Sequence, residues 1–234
     1  YDAGEDAAHA IAAAEARALD ARIARDAAGN LYMTLPGADR GRAALLTGSH
    51  LDSVPHGGNF DGAAGVVAGL AAMADLCERG VTPPQDFTVV AFRAEEAASF
   101  PLSYPGSLAA LGRLPPEALE ARRSDTGRTL SDHMAAAGFD PGAVARGVAH
   151  LVPDDIAAFV EVHIEQGPVL VGRGVPLGLV TAINGGFRYT AARVTGIWAH
   201  SGATPHGYRQ DAALATADLM MRLQGWWDAR EAEG

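Results

Sequence analysis

One cysteine, Cys77, stands in 234 residues. It cannot close an internal disulfide, and its place in the apolar-patterned stretch "GVVAGLAAMADLCERG" predicts a small buried thiol. Such usage fits a reducing cytoplasm. No run approaches the roughly 18 to 20 apolar residues that span a bilayer, and no charged-then-apolar leader opens the chain. Clusters of Lys and Arg are also missing. Eighteen basic against twenty-eight acidic residues give a formal charge of −10, which argues against a nucleic-acid partner. The sequence lacks an initiator Met and stops at "EAEG" directly after a helical stretch, so a piece of a longer chain is expected.

What is present suffices for a sizeable core, in one large domain or two small ones, and two are expected. The Ala-rich start "EDAAHAIAAAEARALDARIA" has helical composition and spacing, with His9 expected at its surface. "NLYMTL" and "AALLTGSH" read as strands, and a helix follows from about Gly65 to Glu78, closed by Arg79 and Gly80. "FTVVAFRA" is apolar on both parities, as suits a strand covered on two faces. The helical stretches "SLAALGRL" and "TLSDHMAAAG" separate it from the strand "IAAFVEVHIE". This alternation predicts an α/β domain with a largely parallel sheet between helices, over residues 1–178. From 179 to 234 the texture changes to the alternating strands "GLVTAI" and "FRYTAARVTGIWAHSG" and the helix "RQDAALATADLMMRLQGWW". That is the opening half of a smaller α+β domain.

Chemistry-bearing residues gather at strand ends. His50 and Asp52 close one strand, Glu95 and Glu96 a second and His163 a third, and in open α/β sheets ligands bind beyond the carboxyl ends of the strands. Residues two apart on a strand share a side, so Asp52 can reach the His50 ring nitrogen that a metal does not take, fixing the tautomer and raising basicity. Asp61 sits at the mouth of the next helix, where exposed N–H groups favour an anion, and its two oxygens suit two ions. Glu95 and Glu96 are adjacent, so an irregular turn is needed to bring both to one site. One of the two would bind metal, and the other would take a proton from a water whose pKa the metal lowers toward about 7. With His163 the donor set is mixed N/O, suited to zinc, manganese, cobalt or nickel. A lone His at a strand end is more often solvated, and "EE" alone is usually a turn. The four motifs together, in order, point to a metal site. No G-x-S-x-G elbow or Walker loop competes, and Cys77 lies within a helix, a poor place for a nucleophile.

The segments "TGSHLDSVPHGGNFDGAAGV", "AEEAASF", "HIEQGPVL" and "HSGATPHGYRQDA" resemble, in order and spacing, the hydantoinase/carbamoylase family of binuclear metal amidohydrolases, a metallopeptidase-like group. The resemblance covers nearly the whole chain. It implies that His50 and His163 bind one ion with Asp61 bridging, that Glu96 holds the second, and that Glu95 is the general base. His200 is similar to the family's lid histidine, which polarises the scissile carbonyl and can come from the partner subunit's lid in a homodimer. Gln166 and Arg209 match positions near the substrate, with a surface ion pair as the alternative for Arg209. His56, His133, His150 and His206 are expected to be structural or solvated.

The implied reaction is metal-dependent hydrolysis of a linear, non-peptide C–N bond, foremost in an N-carbamoyl-L-amino acid. Allantoate or ureidoglycolate-type amidohydrolysis, an aminopeptidase or aminoacylase, and a non-catalytic homologue are the alternatives. Two departures bear on substrate. Ala97 and Ser99 stand where the family's "EEGSRF" has glycine and arginine, and "INGGFRY" replaces a "GQRW"-like segment. The family resumes its catalytic domain after the lid and supplies another metal-binding histidine there. This chain by itself therefore offers three ligands to one ion and only Asp61 and Glu96 to the other.

Overall fold

Helix α1 runs from Ala3 to Ala18 and is opened by Asp2, whose carboxylate accepts from the Gly4 and Glu5 N–H groups, as an N-cap Asp does. The chain is described over residues 1–183 and 191–233 of a computed structural model. α1 ends sooner than its alanine content predicts. Asp20 takes a left-handed φ of 57°, and the N–H groups of Asp20 and Ala21 close on the carbonyls of Arg17 and Ala16, a stop more often built around glycine. Arg22–Arg25 then forms strand β1, where the sequence pattern predicts more helix.

β2 (Leu31–Leu35), β3 (Ala44–His50), β4 (Phe87–Phe92) and β5 (Ile156–Val160) complete one sheet in the order β1-β2-β4-β3-β5. β3 is parallel to both β4 and β5, while β2 is antiparallel to both β1 and β4. Only β2 therefore runs against the other strands, and the expected largely parallel α/β sheet is present. Helix α2 (Ala63–Glu78) follows β3. Phe87, Val89 and Ala91 of β4 pack with Leu31, Met33, Ala12, Ala16, Val66 and Met73 on the face covered by α1 and α2. Val90, between them, packs with Tyr32 and Leu46 on the other. This is the two-residue alternation of a strand buried on both sides. Gly48 lets β3 approach β4 just before His50, because a Cβ there would lie 1.9 Å from the Val90 carbonyl oxygen.

Short helices α3 (Pro105–Ala110), α4 (Leu130–Ala136) and α5 (Pro141–Ala145) build a second cluster around Phe100, Leu114, Leu130, Met134 and Val144. Cys77, expected to be buried, is only partly covered, its thiol turned toward the Leu19 carbonyl. Helix α6 (Val169–Arg173) lies past β5. The chain divides into two compact units, Tyr1–Pro176 and Leu177–Gly234. In the second, α7 spans Ala212–Glu233. The alternating strands expected before it do not form among the described residues, where the one pairing is the bridge between Ile197 and Gln210. A strand needs a neighbour for its N–H and C=O groups, and the described residues of this segment show only that pairing. Residues 184–190 lie outside the described ones. No helix among the described residues is long and apolar enough to cross a membrane.

His9 corrects the expectation of a surface position, because it is fully buried on the α1 face shared with Glu5, Ala12 and Ala16. Neither of its ring nitrogens has a hydrogen-bond partner. Burial, then the charges of Arg93 and Arg25, hold its pKa down from 6.5 to about 3. Below pH 6.5 the unfolded chain takes up a proton here that the folded chain refuses until about pH 3. Stability is therefore lost as pH falls through that window, by at most about 1.4 kcal/mol per pH unit. Urea denaturation from pH 7 to pH 4 should show a shallower loss for His9→Leu than for the parent. Equal slopes would mean that His9 is protonated in the folded chain.

Candidate metal centre

Because β3, β4 and β5 are parallel, their carboxyl ends share one edge of the sheet, and the segments leaving them carry the expected residues. His50, the last residue of β3, has a side chain only 2% exposed. Its Nδ1 lies 3.0 Å from the Asp52 carbonyl and 3.4 Å from Asp52 Oδ1. His163, past β5, donates from Nδ1 to the Ile164 carbonyl at 2.9 Å. A carbonyl at Nδ1 fixes the proton there and leaves the Nε2 lone pair facing outward. Both lone pairs face carboxylates. His50 Nε2 is 3.8 Å from Asp61 Oδ1 and 3.8 Å from Glu95 Oε2, and His163 Nε2 is 3.4 Å from Asp61 Oδ1.

Asp61 stands just before α2. Its Oδ2 accepts from Gln166 Nε2 at 2.6 Å, while its Oδ1 is buried with no hydrogen-bond partner. A buried carboxylate oxygen without a hydrogen-bond partner, faced by the Nε2 atoms of two imidazoles, is unfavourable unless a cation joins them. Ligand atoms about 2.1 Å from a common ion stand about 3.4 Å apart, which is the spacing between His163 and Asp61. One ligand atom each from His50, Asp61 and His163 lies within 4.8 Å of the others, and the same holds for His50, Glu95 and Glu96. His50 belongs to both groups. The residues thus fit a divalent cation through a buried, partnerless oxygen and a mixed N/O donor set.

Without a metal, a proton takes the cation's place. Burial alone would depress His50, but the Asp52 hydrogen bond and the charges of Asp52 and Glu95 outweigh it and push its pKa to about 9. Glu95 is raised by burial and by Asp52, Glu161 and Asp61, partly offset by His50. Glu96 is raised by burial, Glu95 and Asp61. Asp52 is lowered, since bonds from His50 and from the N–H groups of Glu96 and Glu95 exceed the effect of its burial. Glu161 also accepts from Ser49, which ties the end of β3 to the exit of β5.

The irregular turn that Glu95 and Glu96 require begins at Ala94, whose φ is 51°. For a residue with a Cβ this region costs about 1–2 kcal/mol. Four consecutive N–H groups hold it in place. Arg93 donates to Asn30 Oδ1 at 2.8 Å, Ala94 to Glu5 Oε1 at 2.8 Å, and Glu95 and Glu96 to the two oxygens of Asp52 at 3.0 Å each. Asp52 therefore does more than orient His50. Glu5 and Asn30 escape a motif search, although Glu5 has a signal in its spacing with His9 and Ala12 along one buried helical stripe.

His200 and Arg209 lie in the second unit. His200 Nδ1 accepts from the N–H groups of Gly202 and Ala203 at 3.1 and 3.0 Å, so its neutral form carries the proton on Nε2. Arg209 donates to the carbonyls of Thr204 and Ser201. Its guanidinium braces the loop that follows His200, which neither sequence reading of Arg209 includes. Of the remaining histidines, His150 stacks on Tyr32, His133 bonds Thr126, and His56 and His206 are exposed.

Together the sheet edge and its donors define an α/β scaffold with two groups of candidate metal ligands. The sequence profile of peptidase family M20/M25/M40 matches residues 46–225, and the chain belongs to that family. It is 39% identical over 224 residues to an N-carbamoyl-L-amino acid amidohydrolase of Geobacillus stearothermophilus, covering 96% of this chain and 54% of the relative. To an allantoate amidohydrolase of Escherichia coli it is 40% identical over 192 residues, 81% of this chain and 45% of the relative. A crystal structure of a hydantoinase/carbamoylase family amidase from Burkholderia ambifaria superposes with a TM-score of 0.76 at 35% identity, covering 92% of this chain and 51% of that one. The chain thus spans about half the length of the curated relatives it matches.

Gly62 offers a direct check on the centre. It has a φ of 64°, and a Cβ there would lie 2.5 Å from the His50 ring. Gly62→Ala should displace His50 and weaken Zn2+ binding at least tenfold while the circular dichroism stays near that of the parent. Unchanged Zn2+ affinity would remove His50 from the ligand set.

Proposed function

We propose that this chain serves a metal-dependent amidohydrolase that cleaves a linear, non-peptide C–N bond, foremost in an N-carbamoyl-L-amino acid. The observation that carries this reading is the partnerless Asp61 Oδ1 between two imidazole lone pairs, with Glu95 beside His50. The relatives named for carbamoyl amino acids support the substrate class. In this reading His50, His163, Asp61 and Glu96 would hold two divalent ions (Zn, Mn, Co or Ni). Bound there, such ions would supply Lewis acidity, polarising a carbonyl and acidifying water.

Glu95 takes a proton from the attacking water as the water oxygen adds to the ureido carbon. The C–N bond to the amino acid then breaks, and Glu95 returns the proton to the leaving nitrogen. Carbamic acid is released and decays to ammonia and carbon dioxide. Asp52 holds His50 in its tautomer and fixes the backbone of both glutamates. We assign His200 as the donor to the developing oxyanion, a role supported by the bonds that leave its proton on Nε2. Gln166 and Arg209 remain assigned near the substrate. Ser99 lines a cavity of about 260 Å3 with Asp52 and Glu96, which supports a part for it in substrate choice.

A ureido substrate of the allantoate type is the second reading, favoured by the relative at 40% identity. A homodimer through the second unit belongs to the same proposal, supported by the exposed Trp198, Met220 and Met221. So does a reducing cytoplasmic setting, supported by the single cysteine.

Ammonia release from a panel of N-carbamoyl-L-amino acids and from allantoate, assayed with each metal in turn, tests the reaction. Glu95→Gln should lower turnover by about 10²–10⁴-fold without changing bound metal per chain. Full activity in that variant would overturn the base assignment, and release from peptides but not from ureido compounds would overturn the substrate class.

A further inference from the structure

Glu5 lies far from any motif, yet its carboxylate is one of the few charged groups sealed inside the first unit, at 4% exposure. One oxygen accepts from the Ala94 N–H at 2.8 Å, and the other accepts from Arg93 Nη1 at 3.3 Å and from the Tyr1 nitrogen. Arg93 is itself buried, donating also to Asp6 at 2.6 Å and to the Gly29 carbonyl, with its guanidinium over the rings of Tyr1 and Phe139. A structural ion pair would need only Arg93. The Ala94 contact is different, because Ala94 is the residue whose positive φ turns the backbone from β4 toward the metal centre.

The next two residues are Glu95 and Glu96. Their N–H groups are held by Asp52 from the β3 side, and Ala94 is held by Glu5 from the α1 side. The two carboxylates grip adjacent peptides of one turn. Loss of the Asp52 grip would also disturb His50, whereas loss of the Glu5 grip would free the turn and take a partner from Arg93 but leave the His50 partners in place. We infer that Glu5 is a positioning residue for the metal centre: by fixing the Ala94 peptide it sets where the Glu95 and Glu96 carboxylates stand relative to His50. This rests on the proposed metal-binding role of that centre. Groups that orient ligands from outside typically change metal affinity 10–100-fold when lost.

Co2+ titration of the whole chain, followed by its visible absorption and by competition with a chelator, tests the inference with no substrate present. Four proteins are compared: the parent, Glu5→Ala, Glu5→Gln and Asp6→Ala. Glu5→Gln keeps an oxygen for the Ala94 N–H but gives up the charge facing Arg93. Asp6→Ala removes an Arg93 partner and leaves Ala94 untouched. All three variants should melt below the parent, but only Glu5→Ala should bind Co2+ at least tenfold more weakly and with an altered visible band. If Glu5→Ala does not fold, Glu5→Asp takes its place, its carboxylate one methylene short of Ala94. Parent-like Co2+ binding in the Glu5→Ala or Glu5→Asp protein, or an equal loss in Asp6→Ala, would overturn the inference and leave the metal centre standing. A parent that binds no Co2+ would overturn the metal-binding reading and this inference with it.

Discussion

Four successive peptide N–H groups, from Arg93 to Glu96, leave the end of β4 and each meets a side-chain oxygen: Asn30, Glu5 and the two oxygens of Asp52. A strand that stops inside a sheet leaves its next donors in a partly buried place, where an unpaired N–H costs about 1–3 kcal/mol. In this protein they are paired by residues from three other elements. α1 supplies Glu5, the turn before β2 supplies Asn30, and the segment after β3 supplies Asp52. The turn can therefore hold the unfavourable φ of Ala94, and two adjacent glutamates can serve one site. The shared placement of Glu95 and Glu96 depends on that clamp, because without it neighbouring side chains of an extended segment would diverge.

The centre brings together groups that repel one another. Two imidazole Nε2 atoms, each with its Nδ1 turned to a backbone carbonyl, face a buried carboxylate oxygen that has no hydrogen-bond partner. Packing enforces the approach. Gly62 gives the His50 ring its space, Gly48 lets β3 close on β4, and Gln166 occupies the other oxygen of Asp61. Such an arrangement persists only with positive charge in the middle. The proton that His50 retains up to about pH 9 and a divalent ion would compete for the same electrons, so the ligand set is strained toward the cation.

The motifs at the strand ends were legible because their chemistry is local: a His or carboxylate closing an apolar strand and flanked by glycine reads the same before and after folding. The sheet was legible for a similar reason, since "FTVVAFRA" shows apolar residues on both faces. What stayed hidden depends on partners distant in sequence. β1 continues the alanine-rich composition of α1, and an aspartate rather than a glycine makes the stop at Asp20. Glu5 has no evident partner in the sequence until Arg93, eighty-eight residues beyond it, arrives to pair with it, and His9 is buried on the same face of α1. The strands expected after residue 179 follow an alternation that their own unit leaves unpaired among the described residues, apart from Ile197 with Gln210.

Histidine chemistry in this chain is assigned by the backbone. At His50 and His163 a carbonyl takes the Nδ1 proton, so the neutral ring is left with an Nε2 lone pair that can accept. At His200 two N–H groups point at Nδ1 instead, so the proton moves to Nε2 and the ring becomes a donor. The same side chain thus takes opposite roles according to whether the peptide behind it offers oxygen or nitrogen. Arg209 secures the second case by bonding two carbonyls of the loop that carries those N–H groups. Its value then lies in keeping the loop closed on His200 rather than in its charge alone. A lysine there has no planar fork to span two carbonyls, so the brace on this loop is suited to arginine geometry.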